Sequence, residues 1–345
     1  MLEVLDINQA QRWDELVKSF SAYDVYYLSG YVRAFQIHGD GLPQLLYYED
    51  DGLRAIYVYM RRQTAIDGIY DAITPYGYGG VLFEGNVTET NLQGFWSEFV
   101  DRMHQERIVD NFVRYHPVLQ NAVPMRTISN VMDLGKTIAI GLSSPELIWE
   151  NLISKNRNMI RKAEKNGVQI HHGKNMSLFD DFKRIYNITM EKDDADKYYF
   201  FEDEFYESIH KDLYDNYEMF YAELDGKIIA MSIMVFANGR LNYHLSGSDI
   251  EYRNLAPSNL LLYQAALWGC EQGMTTFHLG GGVGSGEDNL YRFKAAFNKN
   301  SDYRFSIGKE IFDEKNYNKL VEFRKSTDAN FDTESSFFPL YRAVN

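Results

Sequence analysis

Residues 47–60 and residues 221–234 share one pattern, with Tyr, Glu, Asp and Gly at a constant offset. In both segments an Asp-Gly pair separates two apolar runs, which is the signature of a β-hairpin with a two-residue turn. The second hairpin continues through Asn238-Gly239 into another apolar run, so it extends to a three-stranded meander. The chain is therefore expected to build two antiparallel sheets of similar design.

Each meander is followed by a helical pattern and then by a short strand. The helical patterns cover residues 91–107 and 258–272, and the strands cover residues 111–115 and 275–279. Hairpins with Asp-Gly turns are common, so the shared residues alone would be a weak sign of a repeat. The matching order of elements predicts two copies of one α/β unit rather than one large sheet.

A change of domain is predicted near residues 134–144, where glycines flank a short strand and Pro145 begins a helix. We expect a first domain over residues 1–140 and a second over residues 141–325. The C-terminal tail at residues 326–345, polar at first and apolar at residues 337–341, is expected to dock back on the first domain.

Composition limits the classes of function. The 345 residues favour two domains, and the net charge of −14 argues against DNA and against sequence-independent binding of nucleic acid. One cysteine, no basic and apolar leader and no apolar run of about 18 residues favour a cytoplasmic protein without a membrane span. Histidines and acids lack metal-ligand spacing, so no metal site is expected. The high tyrosine content suits polar ligand clefts, although compositional bias explains it equally well.

The glycine-rich stretch at residues 277–286 contains five glycines within seven residues and precedes a helical pattern at residues 289–297. Glycines at Gly280 and Gly281 let backbone amides approach a ligand closely. The following helix carries Arg292 and Lys294 within one turn of this loop. A lysine placed there can hold a phosphate or stabilise an oxygen that becomes negative during reaction.

A basic helix closed by Asn166-Gly167 is predicted within residues 152–168, with five cations against one acid in the eleven residues 155–165. Arg157 and Arg161 are spaced i, i+4 and share a face. They are candidates for gripping a phosphorylated substrate, since arginine binds phosphate with a bidentate fork. A solvated helix face is the competing interpretation. A loop at residues 71–80 adds Tyr76 and Tyr78 as possible cleft residues, or as anchors of a turn.

Residues 155–168 and residues 278–297 together resemble the FemAB family, the peptidoglycan-bridge aminoacyltransferases built from two tandem GNAT-like domains. The resemblance implies an α/β (α+β) fold in which each domain is a mixed, mostly antiparallel sheet flanked by helices. It also implies that Lys294 is the site lysine that binds and stabilises the reacting acyl group. Phe293 would line the substrate channel.

The resemblance implies transfer of an acyl or aminoacyl group to an amine of a phosphorylated cell-envelope precursor, either a small molecule or lipid-linked. No tightly bound cofactor is expected, and the donor is aminoacyl-tRNA or acyl-CoA. The net charge disfavours tRNA. At residues 252–259 the Arg/Gln-x-x-Gly-x-Gly/Ala loop of acetyl-CoA-dependent GNAT enzymes is replaced by a segment with Ala256-Pro257, and this disfavours ordinary acetyl-CoA.

Two other classes of function stay open at this point. One is a non-catalytic GNAT-like module that binds a sugar nucleotide or an envelope glycan. The other is a scaffold whose acidic surface docks a partner enzyme.

Overall fold

The structure is a computed structural model that describes residues 1–343. The chain forms two compact units. The first comprises Met1–Leu134 and Phe305–Asn345, and the second comprises Gly135–Arg304. Each unit is an α/β structure in which helices flank one sheet.

The strands, in chain order, are β1 (Leu2–Asp6), β2 (Leu42–Asp50), β3 (Leu53–Gln63), β4 (Tyr70–Ile73), β5 (Leu82–Gly85), β6 (Ile108–Arg114), β7 (Val131–Gly141), β8 (Gln169–Gly173), β9 (Tyr217–Leu224), β10 (Lys227–Ala237), β11 (Arg240–Ser248), β12 (Thr276–Gly280) and β13 (Tyr303–Ile311). The helices are α1 (Ala10–Lys18), α2 (Ser29–His38), α3 (Glu89–Gln105), α4 (Ala122–Met125), α5 (Pro145–Asn151), α6 (Ser154–Lys165), α7 (Leu178–Lys192), α8 (Asp203–Asp212), α9 (Pro257–Glu271), α10 (Asn289–Ala295) and α11 (Glu314–Thr327). Each half of the chain thus contains a run of consecutive strands with helices before and after it.

The sheet of the first unit has the order β1-β2-β3-β4-β6-β13, with β5 paired to β3. Its neighbours are antiparallel except β4 and β6, which are parallel. The apolar side chains of this sheet pack against α3, where Phe95, Phe99 and Met103 are buried. Their spacing of four residues places them on one face of the helix, as the sequence pattern predicts.

The sheet of the second unit has the order β7-β12-β11-β10-β9-β8. It is antiparallel except for β11 and β12, which are parallel. The helix α9 joins this parallel pair and packs on the sheet through Leu261, Leu262 and Ala265. Each unit therefore consists of an antiparallel meander, a crossover helix and a parallel strand, and the prediction of a duplicated mixed sheet is confirmed.

The predicted hairpin turns are confirmed by their backbone geometry. Asp51 and Gly52 have φ of 46° and 76°, and Asp225 and Gly226 have φ of 52° and 79°. Positive φ at both central residues is the type I′ geometry whose twist matches the flanking strands. The Asn238-Gly239 turn has the same geometry.

The domain boundaries differ from the expected ones at the C-terminal end. Residues 305–325 are expected in the second domain from the sequence, but they belong to the first unit. The reason is that residues 307–311 of β13 pair with β6 of the first unit. Which sheet edge accepts a late strand is not encoded in the local pattern of that strand.

The tail beyond α11 is held in the first unit by a buried polar cluster. The Tyr341 hydroxyl lies 2.7 Å from an oxygen of Asp110 and 3.0 Å from an oxygen of Asp71. Asp71 also accepts hydrogen bonds from Arg62 and Arg342. Within residues 1–343, no helix is long and apolar enough to cross a membrane.

Among the described residues, Arg62 and Arg342 form hydrogen bonds to Asp71 and none to Asp110, so the two carboxyl groups of this cluster are not equivalent. Burial, with a further contribution from Asp71, raises the pKa of Asp110 to about 8. The folded chain therefore keeps this proton up to about pH 8, whereas an unfolded aspartate loses it near about pH 4. The contribution of Asp110 to stability accordingly falls as the pH rises between these two values.

We predict that Asp110→Asn stabilises the protein by about 2 kcal/mol at pH 8 and has little effect near pH 4. The amide keeps an acceptor for Tyr341 and removes the buried charge. Denaturant unfolding curves at several pH values measure the difference, with Asp101→Asn on the exposed face of α3 as the matched control. Unfolding free energies of Asp110→Asn and wild type that run parallel over the whole pH range would contradict the assignment.

Candidate active site

A cavity of about 550 Å³ opens in the second unit. Its walls come from β10, β11, the last turn of α7, the loop before α9 and the beginning of α10. The apolar part of the wall includes three methionines, which adapt to ligands of different shape. The apolar wall residues include Met159, Met190, Met231, Leu261, Leu262 and Phe293.

A β-bulge shapes the wall that β11 contributes. The register between β10 and β11 shifts because Ile233 pairs with Leu245 while Met234 pairs with Tyr243, which leaves His244 as the extra residue. Residues three apart on a regular strand point to opposite faces of a sheet. The inserted residue instead lets Tyr243 and Ser246 both line the cavity.

The two hydroxyl groups on β11 are joined to each other. The Tyr243 hydroxyl donates a hydrogen bond of 2.6 Å to the Ser246 Oγ. Burial raises the pKa of the Tyr243 phenol, so this group keeps its proton at neutral pH. Burial also lowers the pKa of His244 to about 3, which makes its neutral imidazole a weak base.

Lys294 lies beside this wall and is buried, with 8% of its surface exposed. Its Nζ donates a hydrogen bond of 2.7 Å to the Gly281 carbonyl oxygen and lies 5.9 Å from the centre of the Tyr243 ring. Burial lowers the pKa of the Lys294 amine to about 8, and the Asp288 carboxylate acts in the opposite direction. Lys294 is not itself a wall residue of the cavity, whereas Tyr243 is.

The glycine-rich loop is held closed by Asp288, which also caps α10. The Asp288 carboxylate accepts hydrogen bonds from the backbone N–H groups of Val283 and Tyr291. A side chain at Gly282 would collide with Asp288 and with backbone, since an added Cβ would lie 2.3 Å from them. Gly280 has a φ of 77°, which favours glycine. The loop therefore presents a carbonyl oxygen, that of Gly281, to the buried lysine.

The loop before α9 gives the cavity little anion-binding capacity from its backbone. Pro257 has no N–H, and the N–H groups of Asn259 and Leu260 bond to the Ala256 carbonyl oxygen. Ser258 supplies the N–H that is left in this first turn. Two cations line the cavity: Lys192, which forms an ion pair of 3.1 Å with Asp193, and Arg253, which is exposed.

The two arginines expected to grip a phosphate make other contacts. Arg157 donates hydrogen bonds to the carbonyl oxygens of Leu152 and Trp149, which closes the end of α5. Arg161 lies over the Trp149 ring, 5.1 Å from its centre. Neither arginine lines the cavity, whereas Met159 from the same helix does.

A buried amide pair attaches α6 to the cavity wall. Asn156 accepts a hydrogen bond of 2.7 Å from Asn259, which lines the cavity, and donates one of 3.2 Å to the Ala296 carbonyl oxygen at the end of α10. Asn156 is buried. This one side chain therefore fixes the relative positions of three helices around the cavity.

The remaining candidates from the sequence lie away from this cavity. Tyr76 stacks on Phe35, and Tyr78 packs edge-on against Tyr26 and Phe305 within the first unit. Arg292 is exposed on the face of α10 away from Lys294. Phe293 is the one candidate from the sequence that lines the cavity directly.

Sequence reasoning does not identify Tyr243, Ser246 or Arg253 as wall residues. The bulge at His244 is needed to bring Tyr243 and Ser246 to one face, and no local signal in the sequence marks it. A weak signal exists for Arg253, which stands in the strand-to-helix loop where an anion-binding loop would be expected.

A known domain family matches the part of the chain that forms the cavity. The family model of an acetyltransferase (GNAT) domain matches residues 154–295. This range lies within the second unit and includes every wall residue of the cavity. A search of curated proteins returns no significant match.

Solved structures match the fold of most of the chain. FemX is 14% identical, with 93% of this chain and all of that chain covered and a TM-score of 0.71. The C-terminal DUF2156 domain of a putative lysylphosphatidylglycerol synthetase from Agrobacterium fabrum is 15% identical. The match covers 88% of this chain and 91% of that chain, with a TM-score of 0.56. A conserved protein of unknown function from Bacteroides thetaiotaomicron is 11% identical. The match covers 90% of this chain and 99% of that chain, with a TM-score of 0.60. The chain has a FemAB-like fold of two tandem GNAT-like units.

We predict that Lys294 reaches half of its maximal reactivity toward a small acylating reagent near pH 8. Burial disfavours its charged form, so the amine loses its proton more readily than an exposed lysine. Competitive labelling read by mass spectrometry measures this, with Lys183 as an internal reference because its hydrogen bond to Asp203 raises its pKa. Coincident labelling profiles for Lys294 and Lys183 would show that the Lys294 site is not desolvated.

Proposed function

We propose that this protein is an acyltransferase that moves an acyl or aminoacyl group onto an amine of a phosphorylated cell-envelope precursor. The observation that carries the proposal is the cavity with a buried lysine beside it, inside the range that matches an acetyltransferase domain. A buried ammonium group is costly to maintain unless it has a partner or a task. Lys294 has a single carbonyl oxygen as its hydrogen-bond acceptor among the described residues.

The reaction that fits the site is attack by a neutral amine on the carbonyl carbon of an ester or thioester. A carbon–nitrogen bond forms and the carbonyl oxygen becomes an oxyanion. The carbon–oxygen or carbon–sulfur bond to the donor then breaks, and the proton lost by the amine passes to the leaving group. The positive charge of the buried Lys294 favours the oxyanion electrostatically.

The phosphate of the substrate is assigned to the rim of the cavity. Arg157 is occupied by the carbonyl oxygens that end α5, and the Arg161 guanidinium stacks on Trp149. Lys192 and Arg253 line the cavity instead, and Lys192 already has Asp193 as a partner. Arg253 has no recorded ion pair among residues 1–343, so its guanidinium is the better phosphate ligand.

The nature of the acceptor rests on the resemblance of residues 155–168 and 278–297 to the FemAB family. The donor is an aminoacyl ester or an acyl thioester. The first turn of α9 offers few free N–H groups to bind a pyrophosphate. A CoA thioester, which contains a pyrophosphate, is therefore the less favoured donor. The net charge of −14, in contrast, disfavours binding of an aminoacyl-tRNA donor. Both donor classes therefore belong in the test.

Direct measurement of transfer tests the proposal. Purified protein is incubated with a panel of acyl-CoA thioesters or aminoacyl-tRNAs and with UDP-linked muropeptides as acceptors, and products are identified by mass spectrometry. We predict an amide product with the wild type and at least about a hundredfold slower transfer with Lys294→Met, because a preorganised charge near the oxyanion is lost. Lys211→Met, on the exposed face of α8, is the control for removal of a lysine.

Two results would contradict the proposal. Turnover of Lys294→Met at the wild-type rate would remove the lysine from the mechanism. A rise in melting temperature with UDP-linked precursors, without product from any donor, would identify a non-catalytic binding module instead.

We also predict that Arg253→Gln raises the KM for the phosphorylated substrate about tenfold while kcat changes little. A charge-assisted hydrogen bond to phosphate made equally in the ground state and the transition state affects binding alone. Steady-state kinetics measure this, with Arg184→Gln on the exposed face of α7 as the control. An unchanged KM in Arg253→Gln would place the phosphate elsewhere.

A further inference from the structure

The buried lysine does not itself reach the space where the acyl group would lie, and this leaves the direct partner of the reacting carbonyl open. Lys294 donates to the Gly281 carbonyl oxygen, and the Tyr243 ring stands 5.9 Å from its Nζ on the cavity side. A group that stabilises an oxyanion by hydrogen bonding must lie about 3 Å from that oxygen. The donor has to come from the cavity wall.

Most hydroxyl protons of the wall are committed to backbone oxygens or lack a fixed orientation. Thr189 donates to the Ile185 carbonyl oxygen at 2.9 Å, and Ser232 donates to the Leu245 carbonyl oxygen at 3.0 Å. Ser248 and Ser258 have no side-chain hydrogen bond recorded among residues 1–343. Their hydroxyl groups are therefore free to rotate.

Ser246 differs from these residues. Its Oγ accepts the Tyr243 hydroxyl at 2.6 Å, and among the described residues no acceptor is recorded for its own proton. A hydroxyl group whose oxygen is held by a strong donor directs its proton away from that donor. The proton of Ser246 is therefore oriented and unused at the cavity wall.

Tyr243 is suited to hold Ser246 in this state. Its ring carries the ammonium group of Lys294 on one face, and its hydroxyl group is fixed on Ser246. The bulge at His244 is what turns both side chains to one side of β11. Lys294, Tyr243 and Ser246 are thus in contact one after the other, from the buried ammonium group to the cavity wall.

We propose that Ser246 is the catalytic residue that donates a hydrogen bond to the carbonyl oxygen of the transferred acyl group, and that Tyr243 is the positioning residue that orients it. This inference rests on the proposed acyltransferase function and names the contact that carries it out. The Ser246 proton stays on its oxygen throughout. The hydrogen bond strengthens as the carbonyl oxygen becomes negative and weakens when the bond to the donor breaks.

Four variants test the assignment in the transfer assay. Ser246→Ala lowers kcat about a hundredfold with KM changed by less than about threefold, because an oxyanion contact acts mainly in the transition state. Ser246→Thr keeps the hydroxyl group and retains most of the activity. Tyr243→Phe lowers kcat about tenfold by releasing the orientation of Ser246. The double variant Tyr243→Phe/Ser246→Ala is no slower than Ser246→Ala, since Tyr243 acts through Ser246.

Two controls are matched to these changes. Ser177→Ala removes a hydroxyl group at the exposed beginning of α7, and Tyr221→Phe removes a phenol on β9 whose ring lies tilted against His171. Both retain the wild-type kcat. Melting temperatures of all variants separate loss of folding from loss of catalysis.

The outcomes distinguish this inference from the proposed function. Wild-type transfer together with a fully active Ser246→Ala overturns the role of Ser246 and leaves the acyltransferase function standing. Additive losses in the double variant overturn the positioning role of Tyr243. A wild type that forms no product with either class of donor overturns the proposed function and this inference with it.

Discussion

A buried ammonium group is the constraint around which the second unit is arranged. Desolvation of a lysine is expensive, and the fold offsets part of this cost with the Gly281 carbonyl oxygen, the face of the Tyr243 ring and the charge of Asp288. Each of these partners depends on another feature of the chain. The loop must bring a carbonyl oxygen inward, the bulge must turn the ring, and Asp288 must cap α10.

The same arrangement explains why the cavity lies where it does. Gly247 on β11 allows α7 to pass so close that an added Cβ would lie 2.8 Å from the Tyr186 Cα. The last turn of α7 thereby reaches the mouth of the cavity, where Thr189, Met190 and Lys192 line it. On the opposite side, Asn156 joins α6 to Asn259 and to the end of α10. The wall thus depends on a tight backbone approach at Gly247 and on the buried amide of Asn156.

Local patterns in the sequence predict the secondary structure well and the pairing of distant elements poorly. The Asp-Gly turns, the helical periodicity of α3 and α9 and the glycine-rich loop all depend on neighbouring residues, and the structure has them at the expected places. The pairing of β13 with β6 depends on a contact between distant parts of the chain, and the sequence pattern assigns it to the wrong domain. The sequence pattern also does not predict that Arg157 donates to a carbonyl oxygen at the end of α5, because the number and spacing of charges do not show which backbone groups they meet. Tyr243 and Ser246 meet only because of one extra residue in a strand.

The most direct test of this account is a crystal structure of the protein with a stable analogue of the donor, in which a ketone or an amide replaces the reactive ester or thioester. The account predicts that the carbonyl oxygen of the analogue lies in the cavity at about 3 Å from the Ser246 Oγ. It also predicts that the Lys294 Nζ remains on the far side of the Tyr243 ring. An analogue bound outside the cavity, or with its carbonyl oxygen turned away from β11, would contradict the central claim.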